Sequence, residues 1–486
     1  MTSVSRGAGR VTILTFICVI CSASAFAQTI HSSAEKSRLA EWTIMVFMDG
    51  DNNLEQDALV DFLEMARAGS TPEVNIVVQL DRIGKYVAET NKKYEFWTET
   101  LRFLVTKDST PSKSTRNSHN IGEANMGDGS TVKNFISWGK KEFPAKRYAL
   151  ILWDHGQGWR GVLPPTNEIR ALISKAGFDP FTQNHTGNMR LGFPFRTAIG
   201  SPFRTLSFDE TDNDKLYNSE LQQALVEALR GEKLDLIGFD ACLMAMVETA
   251  YALRDVAHTF VGSEDLVPGT GWQYDDWLKT LITTPTMNAH TLGDVLVKSF
   301  AKRYGTETEF SEANHATTLS FVDLSKADRL AGAITALSKT LILKFNAEKQ
   351  NIKTARDECS VYAPNAVGDG RDYFLHIDLA RFCERLMIHI RDPEVKSNAA
   401  AVLQTIKTSV LSNYAGQARQ GSYGSNGLAI YFPPNGTMYH NDWIAEGGYE
   451  NSRTKPSDQA APIFPVEFVE NHYWADFLHV YFKHFH

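Results

Sequence analysis

The chain has 486 residues, of which 43% are hydrophobic and 22% are charged, a composition typical of a folded protein with one large core or two smaller ones. Its 49 basic and 57 acidic side chains give a net charge of −8, so no field exists that would gather nucleic acid or an anionic membrane surface. We therefore expect no nucleic-acid partner.

The N-terminal residues 1–27 have the pattern of a secretory signal peptide that is removed from the mature chain. Two arginines precede an apolar run, Val11–Ile20, and Ala25–Ala27 supply a small-x-small cleavage site. The run is shorter than the roughly 20 residues that span a bilayer, which disfavours a membrane anchor. A branched Ile20 before Cys21 disfavours a lipoprotein. We expect a secreted or periplasmic protein with no membrane span after signal removal.

Signal removal would leave three cysteines, Cys242, Cys359 and Cys383. An odd number in an exported protein leaves at least one thiol outside any intramolecular disulfide. Cys359 and Cys383 could pair with each other, or all three could be free thiols. In either case Cys242 stands apart from the other two along the chain.

After a polar linker at residues 28–40, strand patterns alternate with helix patterns. Strands are predicted at Trp42–Met48, Val74–Leu80, Tyr148–Trp153, Leu234–Phe239 and Thr259–Gly262, and helices at Leu54–Arg67, from a Ser130 or Thr131 cap to Pro144, at Ser219–Leu229 and from Leu243. This alternation predicts an α/β fold with a mostly parallel central sheet covered by helices on both faces.

Between the two blocks, residues 160–214 are rich in Pro, Gly, Asn, Thr and Arg and lack sustained periodicity. So long an irregular stretch is usually functional or cleaved. Further helices are predicted at Ser325–Lys349, Leu375–His389 and Val395–Leu411, and a short strand at Leu428–Phe432. We predict a sheet domain at residues 41–325 and a largely helical C-terminal lobe at 326–486 packed on it.

Two reactive side chains directly follow two of the predicted strands. Tyr148–Trp153 is followed by Asp-His155-Gly156, and Leu234–Phe239 is followed by Asp-Ala-Cys242. In open α/β sheets the loops after the carboxyl ends of the strands form the ligand crevice. Neighbouring parallel strands would therefore bring the imidazole and the thiol to the same edge of the sheet.

An imidazole beside a thiol suits nucleophilic catalysis. A thiol with an unperturbed pKa near 8.5 is mostly protonated at neutral pH, and a nearby imidazole can take its proton. A helix from Leu243 would also place Cys242 at a helix N-terminus, where the dipole favours the thiolate. The N–H groups of Gly156 and Cys242 could then stabilise an oxyanion. Taken alone, however, a buried cysteine is usually a small hydrophobe, and a histidine after a strand is usually a solvated loop residue.

The flanking sequence resembles the clostripain family of cysteine peptidases, in the same structural group as caspases, gingipains and legumains. The matching stretches are residues 42–54, Gly127–Gly129, Trp153–Trp159, Asp240–Met244 and Pro268–Tyr274, with fainter echoes at Gly427–Phe432 and around Trp474. The resemblance therefore spans roughly residues 42–278. It implies a caspase-like αβα sandwich and a cysteine endopeptidase.

The resemblance assigns the catalytic dyad to His155 and Cys242 and the oxyanion donor to Gly156. The family prefers Arg or Lys before the scissile bond, which needs an acid in the substrate pocket. Asp240 is the best candidate, because it lies two residues from the thiol on the same side of an extended chain. The alternative for Asp240 is a carboxylate at a helix N-terminus.

Further residues are candidates for the walls of the substrate pocket. Glu264 or Asp265, beyond the next strand, could supply a second wall, and Asn52 or Asn53 could line the pocket. The expected partners are thus proteins or peptides with Arg or Lys before the cleaved bond.

Some relatives cut themselves into two chains between the histidine and cysteine motifs, and residues 160–214 have the composition for such processing. The basic candidates there are Arg170, Lys175 and Arg190, with Arg196, Arg204 and the adjacent Lys215. We expect a zymogen that exists as a monomer or as a self-cleaved two-chain form.

Calcium supports activity in parts of the family, although the cysteine chemistry itself needs no cofactor. Asp209, Glu210, Asp212 and Asp214 form an acidic group of hard oxygen ligands. Their spacing fits no EF-hand, and solvated loop charge is the alternative interpretation.

Two other functions compete with the peptidase. One is a non-catalytic relative that binds peptides or cell-surface ligands, and the other is a different Cys–His hydrolase such as an amidase or transpeptidase. Intact His155, Gly156 and Cys242 argue against the first. The acidic Asp240 and the basic region between the motifs favour the peptidase over the second.

Overall fold

The computed structural model describes residues 39–87, 95–156, 206–306, 317–362, 375–421, 423–436, 439, 449 and 467–485. The predicted signal peptide lies outside these ranges. So do the processing candidates Arg170, Lys175, Arg190, Arg196 and Arg204.

The strands of the described residues are β1 Ala40–Gly50, β2 Val74–Arg82, β3 Thr100–Leu104, β4 Ser118–Gly122, β5 Ala145–Trp153, β6 Leu206–Asp209, β7 Asp214–Leu216, β8 Leu234–Asp240, β9 Ala257–Gly262, β10 Thr318–Asp323, β11 His376–Asp378, β12 Val410–Ala415 and β13 Ala429–Tyr431. The helices are α1 Glu55–Ala68, α2 Gly129–Glu142, α3 Asn218–Leu229, α4 Val247–Leu253, α5 Tyr274–Thr283, α6 Ala289–Thr306, α7 Ala327–Asp357, α8 Leu379–His389, α9 Pro393–Ser409, α10 Glu467–Asn471 and α11 Trp474–Phe482. Among the described residues, no helix is long and apolar enough to cross a bilayer.

One central sheet contains nine of these strands in the order β12-β10-β9-β8-β5-β1-β2-β3-β4. The five strands β9, β8, β5, β1 and β2 run parallel, and the pairings at both edges are antiparallel. The predicted α/β fold is confirmed, with its parallel part at the centre of the sheet. The antiparallel edges were not predicted from the sequence.

Helices cover both faces of the sheet. Every residue of β1 is buried, as expected for a parallel strand enclosed on two sides. The Phe47 ring of β1 lies 6.0 Å from the Phe135 ring of α2. Trp153 Nε1 of β5 donates a hydrogen bond of 2.7 Å to Asp61 of α1. Met48 of β1 is the register partner of Trp153 and points to the same face of the sheet. The adjacent residues Phe47 and Met48 therefore point to opposite faces, which are covered by α2 and α1.

The last residues of the stretch 160–214, which lacks sustained periodicity in the sequence, form a hairpin together with residues 215 and 216. β6 and β7 pair with each other antiparallel. Lys215 lies in β7 and is buried. A buried residue of a strand is poorly accessible to a protease, which makes Lys215 a weak processing candidate.

The C-terminal part of the chain contributes directly to the sheet. β12 pairs antiparallel with β10 at one edge, and the Ala429 N–H donates to the Ala245 carbonyl over 2.9 Å. Strands from both sides of the boundary predicted at residue 326 therefore belong to one sheet.

Helix α2 begins slightly earlier than the sequence pattern indicated. Asp128 supplies the cap, since its side chain accepts a hydrogen bond of 2.7 Å from the Ser130 N–H. The predicted cap at Ser130 or Thr131 is wrong, because both residues already lie in the first turn of the helix.

Candidate active site

The two reactive residues occupy equivalent positions beyond two paired strands. β5 and β8 are parallel neighbours, with Trp153 opposite Asp240. His155 and Cys242 each follow two residues later, and both are buried. Gly156 lies where the two loops touch, because a Cβ at this position would lie 2.3 Å from the Cys242 carbonyl oxygen. No other residue fits there without moving the backbone.

Asn53 contacts the imidazole. Its Oδ1 lies 2.8 Å from His155 Nε2. An amide oxygen only accepts hydrogen bonds, so Nε2 carries the hydrogen and Nδ1 carries the lone pair of the neutral ring. Nδ1 is then the nitrogen that can take a proton. Asn53, for which the sequence predicted a place in the substrate pocket, thus lies against the histidine.

The residues next to Asn53 and His155 hold their loops together. Asn52 Nδ2 donates to Asp154 Oδ1 over 2.8 Å and to the Phe208 carbonyl over 2.9 Å. The other oxygen of Asp154 accepts from the Phe208 N–H. The histidine loop is therefore tied both to the loop after β1 and to strand β6. Apart from its position directly before the histidine, no sequence signal indicated this role for Asp154.

Cys242 is followed by a tight turn. Leu243 has a φ of 62°, in the left-handed region that is uncommon for a bulky side chain. Its N–H donates to the Asp265 carbonyl over 3.0 Å, and helix α4 begins only at Val247. The predicted helix from Leu243 is therefore wrong, because this backbone bonds to the neighbouring loop. The helix-dipole argument for the thiolate does not apply either.

The loop after β9, and not a helix N-terminus, contacts the Cys242 sulfur. The Val267 N–H lies 3.1 Å from Cys242 Sγ, and the Val267 carbonyl lies 3.6 Å from it. A donor aimed at the sulfur favours negative charge there. The sequence could not reveal Val267, because a contact made by the backbone needs no particular side chain.

Asp240 lies buried at the end of β8. Its Oδ2 accepts hydrogen bonds of 3.1 Å from the Trp272 N–H and from the Tyr274 hydroxyl. Both partners belong to the matching stretch Pro268–Tyr274. Since α4 begins seven residues after Asp240, the alternative role at a helix N-terminus does not apply.

Glu264 and Asp265 contact the C-terminal part of the chain. Glu264 Oε2 accepts a hydrogen bond of 2.8 Å from the Gly427 N–H. Burial, followed by the charge of Asp378, raises the pKa of Glu264 well above its ordinary value. Asp265 forms a buried ion pair with Arg419. Both acids thus have partners within the protein.

Asp209, Glu210, Asp212 and Asp214, for which calcium binding and solvated loop charge were the alternatives, do not all share one set of partners. Glu210 forms a 2.8 Å ion pair with Lys85, and Asp214 accepts a 2.7 Å hydrogen bond from Asn125. Only Asp209 belongs to a converging set of carboxyl groups, whose other members are Asp51, Asp81 and Glu123. Glu210 and Asp214 thus have partners that Asp209 does not share.

The sequence model of the clostripain family matches residues 46–184 and 197–477. The chain belongs to the clostripain family. The prediction of a cysteine endopeptidase is confirmed by this membership. Clostripain of Hathewaya histolytica is 25% identical over 456 residues, which cover 85% of this chain and 78% of that protein.

Two solved structures of C11 cysteine proteases are similar to this chain. A secreted C11 cysteine protease from Bacteroides thetaiotaomicron, in complex with an irreversible peptide inhibitor, is 19% identical, with a TM-score of 0.49, over 81% of this chain and 92% of that one. An inactive zymogen C11 protease from Parabacteroides distasonis is 18% identical, with a TM-score of 0.49, over 84% and 97% of the two chains. The family match extends well beyond residues 42–278, into the C-terminal part.

Proposed function

We propose that Cys242 and His155 form the catalytic dyad of this endopeptidase and that it cleaves after Arg or Lys. The main support is the pairing of β5 with β8, which brings both side chains to one edge of the sheet in equivalent positions. The Val267 N–H at the sulfur and the Asn53 oxygen at Nε2 suit the two residues to these roles.

In the proposed mechanism His155 Nδ1 takes the thiol proton, and the Cys242 sulfur attacks the carbonyl carbon of the scissile bond. The negative charge moves to the carbonyl oxygen, where the Gly156 N–H stabilises it. As the C–N bond breaks, the histidine returns the proton to the leaving amine. Water then hydrolyses the thioester and restores the thiol.

Asp240 is the residue that we propose for recognition of a basic side chain. Of the three acidic candidates, Asp265 already has its charge balanced by Arg419. Glu264 holds its proton more strongly than usual because it is buried near Asp378. Asp240 remains next to the catalytic loop, and its position is fixed by Trp272 and Tyr274.

We also propose that the enzyme is exported as a zymogen and activated by self-cleavage. Cys242 and His155 are 0% and 2% exposed, so a substrate carbonyl reaches the sulfur only after part of the chain moves. Cleavage after Arg170, Lys175 or Arg190 would supply such a change and would suit a protease specific for basic residues. The N-terminal signal pattern supports export.

The dyad and the specificity can be tested with fluorogenic peptides that carry Arg, Lys, Ala or Asp before the cleaved bond. We expect the mature protein to cut the Arg and Lys peptides and Cys242→Ala to cut none. Asp240→Asn should lower kcat/KM for the basic peptides by about 100-fold, the effect of losing a buried charge pair. An unchanged preference in that variant would remove Asp240 from the pocket. A folded, reduced protein that cuts no peptide would support the non-catalytic alternative.

Thiol labelling provides a control within the chain. Cys359 and Cys383 are free and buried, and burial raises the pKa of Cys359 to about 12 and that of Cys383 well above its ordinary value. Both should therefore resist alkylation. We expect iodoacetamide to inactivate the processed enzyme by modifying Cys242, and Cys359→Ala to retain activity and the same labelling. Labelling of Cys383 with loss of activity would contradict this assignment.

A further inference from the structure

Residues 272–274 lead from the loop after β9 into helix α5 and hold the Asp240 side chain in place. The Trp272 N–H and the Tyr274 hydroxyl both donate hydrogen bonds of 3.1 Å to Asp240 Oδ2. Trp272 and Tyr274 are buried, and Tyr274 is the first residue of α5. We refer to residues 272–274 as the support segment.

A buried ion pair contacts the main chain of the support segment. Glu64 of α1 and Arg303 of α6 meet in a two-pronged contact, with nitrogen–oxygen distances of 3.2 and 3.3 Å, and both side chains are only 7% exposed. Arg303 Nη1 also donates to the Trp272 carbonyl over 3.2 Å, and Glu64 Oε2 accepts from the Tyr274 N–H over 3.0 Å. The pair therefore binds both ends of the support segment.

The residue after Arg303 fixes the chain just before the support segment. The Tyr304 hydroxyl donates to the Gly271 carbonyl over 2.8 Å and lies 2.8 Å from the Thr270 hydroxyl oxygen. Gly271 has a φ of 54°, in the left-handed region that suits glycine. Helix α6 thus contacts the turn and the support segment through consecutive residues.

A second ion pair joins α5 and α6 at the surface. Lys302 pairs with Asp276 over 2.7 Å, and their side chains are 55% and 32% exposed. Stability alone does not require the buried pair, because apolar residues of similar volume often serve as well as a buried ion pair. What Glu64 and Arg303 add is a pair of directed hydrogen bonds to main-chain groups beside Asp240.

We propose that the Glu64–Arg303 pair positions Asp240 for recognition of a basic side chain, an inference that rests on the function proposed above for Asp240. Glu64 and Arg303 act through the support segment and do not touch the substrate, so they are positioning residues. A binding group displaced by about 1 Å can lose up to about 100-fold in activity. Without the pair, the support segment would hold Asp240 less firmly and a basic side chain would bind more weakly.

The test uses full mature chains treated with immobilised trypsin, which cuts after Arg and Lys in place of self-cleavage and is then removed. The main variant combines Glu64→Leu with Arg303→Met, so neither charge is left buried without its partner. We expect KM for the Arg peptide to rise by about tenfold. Incomplete folding would lower kcat but not KM, because KM does not depend on the amount of active enzyme.

Two single variants accompany the main variant. Glu64→Gln breaks the ion pair but keeps an oxygen that can accept from the Tyr274 N–H, so KM should rise by a smaller factor. Lys302→Met is the matched control, because it breaks the exposed contact with Asp276 between the same two helices. It should change KM by less than about twofold.

Asp240→Asn separates this inference from the proposed function on which it rests. We expect this variant to lose about 100-fold in kcat/KM for the Arg peptide. If the ion pair acts through Asp240, adding Glu64→Leu and Arg303→Met should then change kcat/KM by less than about twofold. These rates are expressed per active site, counted by iodoacetamide labelling of Cys242.

Three results would overturn the role of the ion pair while leaving that of Asp240 intact. The first is an unchanged KM in both the main variant and Glu64→Gln. The second is an equal rise of KM in Lys302→Met, which would indicate general loosening of the two helices. The third is a full further loss when the main variant is combined with Asp240→Asn. An unchanged preference in Asp240→Asn would instead overturn the proposed role of Asp240, and the inference with it.

Discussion

Buried acids lie on both sides of the proposed catalytic pair, which we call the β2 flank and the β9 flank, and the acids on the two flanks have different partners. On the β2 flank, Asp51, Asp81, Glu123 and Asp209 converge. The Oδ2 atoms of Asp51 and Asp81 are buried and accept no hydrogen bond within the described part of the chain. On the β9 flank, the protein supplies a partner for each acid. Asp265 pairs with Arg419, and Glu264 lies against Asp378 with a strongly held proton. On the β9 flank each of these acids has a partner within the protein, whereas on the β2 flank the fold brings four acids together.

The largest change in stability is expected when Arg419, the cation that pairs with Asp265, is removed from the β9 flank. In Arg419→Met, the Asp265 carboxylate loses its ion-pair partner in a buried site where the two side chains are only 10% and 0% exposed. We expect the free energy of unfolding to fall by about 3–5 kcal/mol, measured by urea denaturation.

Lys298→Ala is the control for that measurement. It breaks an ion pair with Asp294 whose side chains are 73% and 40% exposed. Solvent screens such a pair, so its loss should cost less than about 1 kcal/mol. Similar losses in the two variants would show that the Asp265–Arg419 pair contributes no more than a surface contact.

The proton held between Glu264 and Asp378 makes the β9 flank sensitive to pH. Burial raises the pKa of Asp378 from 3.8 to about 7 and that of Glu264 well above its ordinary value. The folded protein thus retains protons that the unfolded chain releases, so the stabilisation is complete below pH 4 and is lost as pH rises through 7. We expect a fall on the order of 3 kcal/mol across this range.

Glu264→Gln should flatten this pH profile, because its amide hydrogen replaces the titrating proton beside Asp378. Urea denaturation of both proteins from pH 4.5 to 8, with EDTA present, isolates the difference that Glu264 makes. Parallel profiles for the variant and its parent would show that the Glu264–Asp378 contact does not hold a proton.

The smallest effect is expected at Glu123, the exposed member of the converging carboxyl groups of Asp51, Asp81, Glu123 and Asp209. Partial desolvation of its carboxyl group raises its pKa to about 7, with further contributions from acidic neighbours, so it is ionised at pH 8.5. Without divalent ions at that pH, Glu123→Gln should stabilise the fold by about 0.5 kcal/mol through relief of repulsion. The gain in Tm should shrink in 0.5 M NaCl, because salt screens exposed charge. A loss of stability would contradict net repulsion between Glu123 and its acidic neighbours.

The sequence predicted best what depends on local apolar patterns. The predicted strand Trp42–Met48 and helix Leu54–Arg67 lie within one or two residues of β1 and α1. The position of His155 and Cys242 at one sheet edge followed from the strands before them, and the structure brings the two residues to that edge.

What the sequence could not show depends on contacts between distant segments. The backbone of Leu243 bonds to the loop at Asp265, which overrides its local helix pattern. The contact of Val267 with the sulfur is made by main-chain atoms. The converging carboxyl groups of Asp51, Asp81, Glu123 and Asp209 come from four separate segments, so no local pattern could show them.

The strand order has a consequence for how the enzyme could be produced. All central-sheet strands that precede residue 157 lie on one side of the β5–β8 pairing, and all those that follow residue 205 lie on the other. The β5–β8 pairing joins Ala149–Trp153 to Leu236–Asp240. His155 belongs to the part of the chain before residue 157, and Cys242 belongs to the part after residue 205. Two genes, each encoding one half, should therefore yield a heterodimer when expressed together, and peptide cleavage would then report assembly of the two subunits.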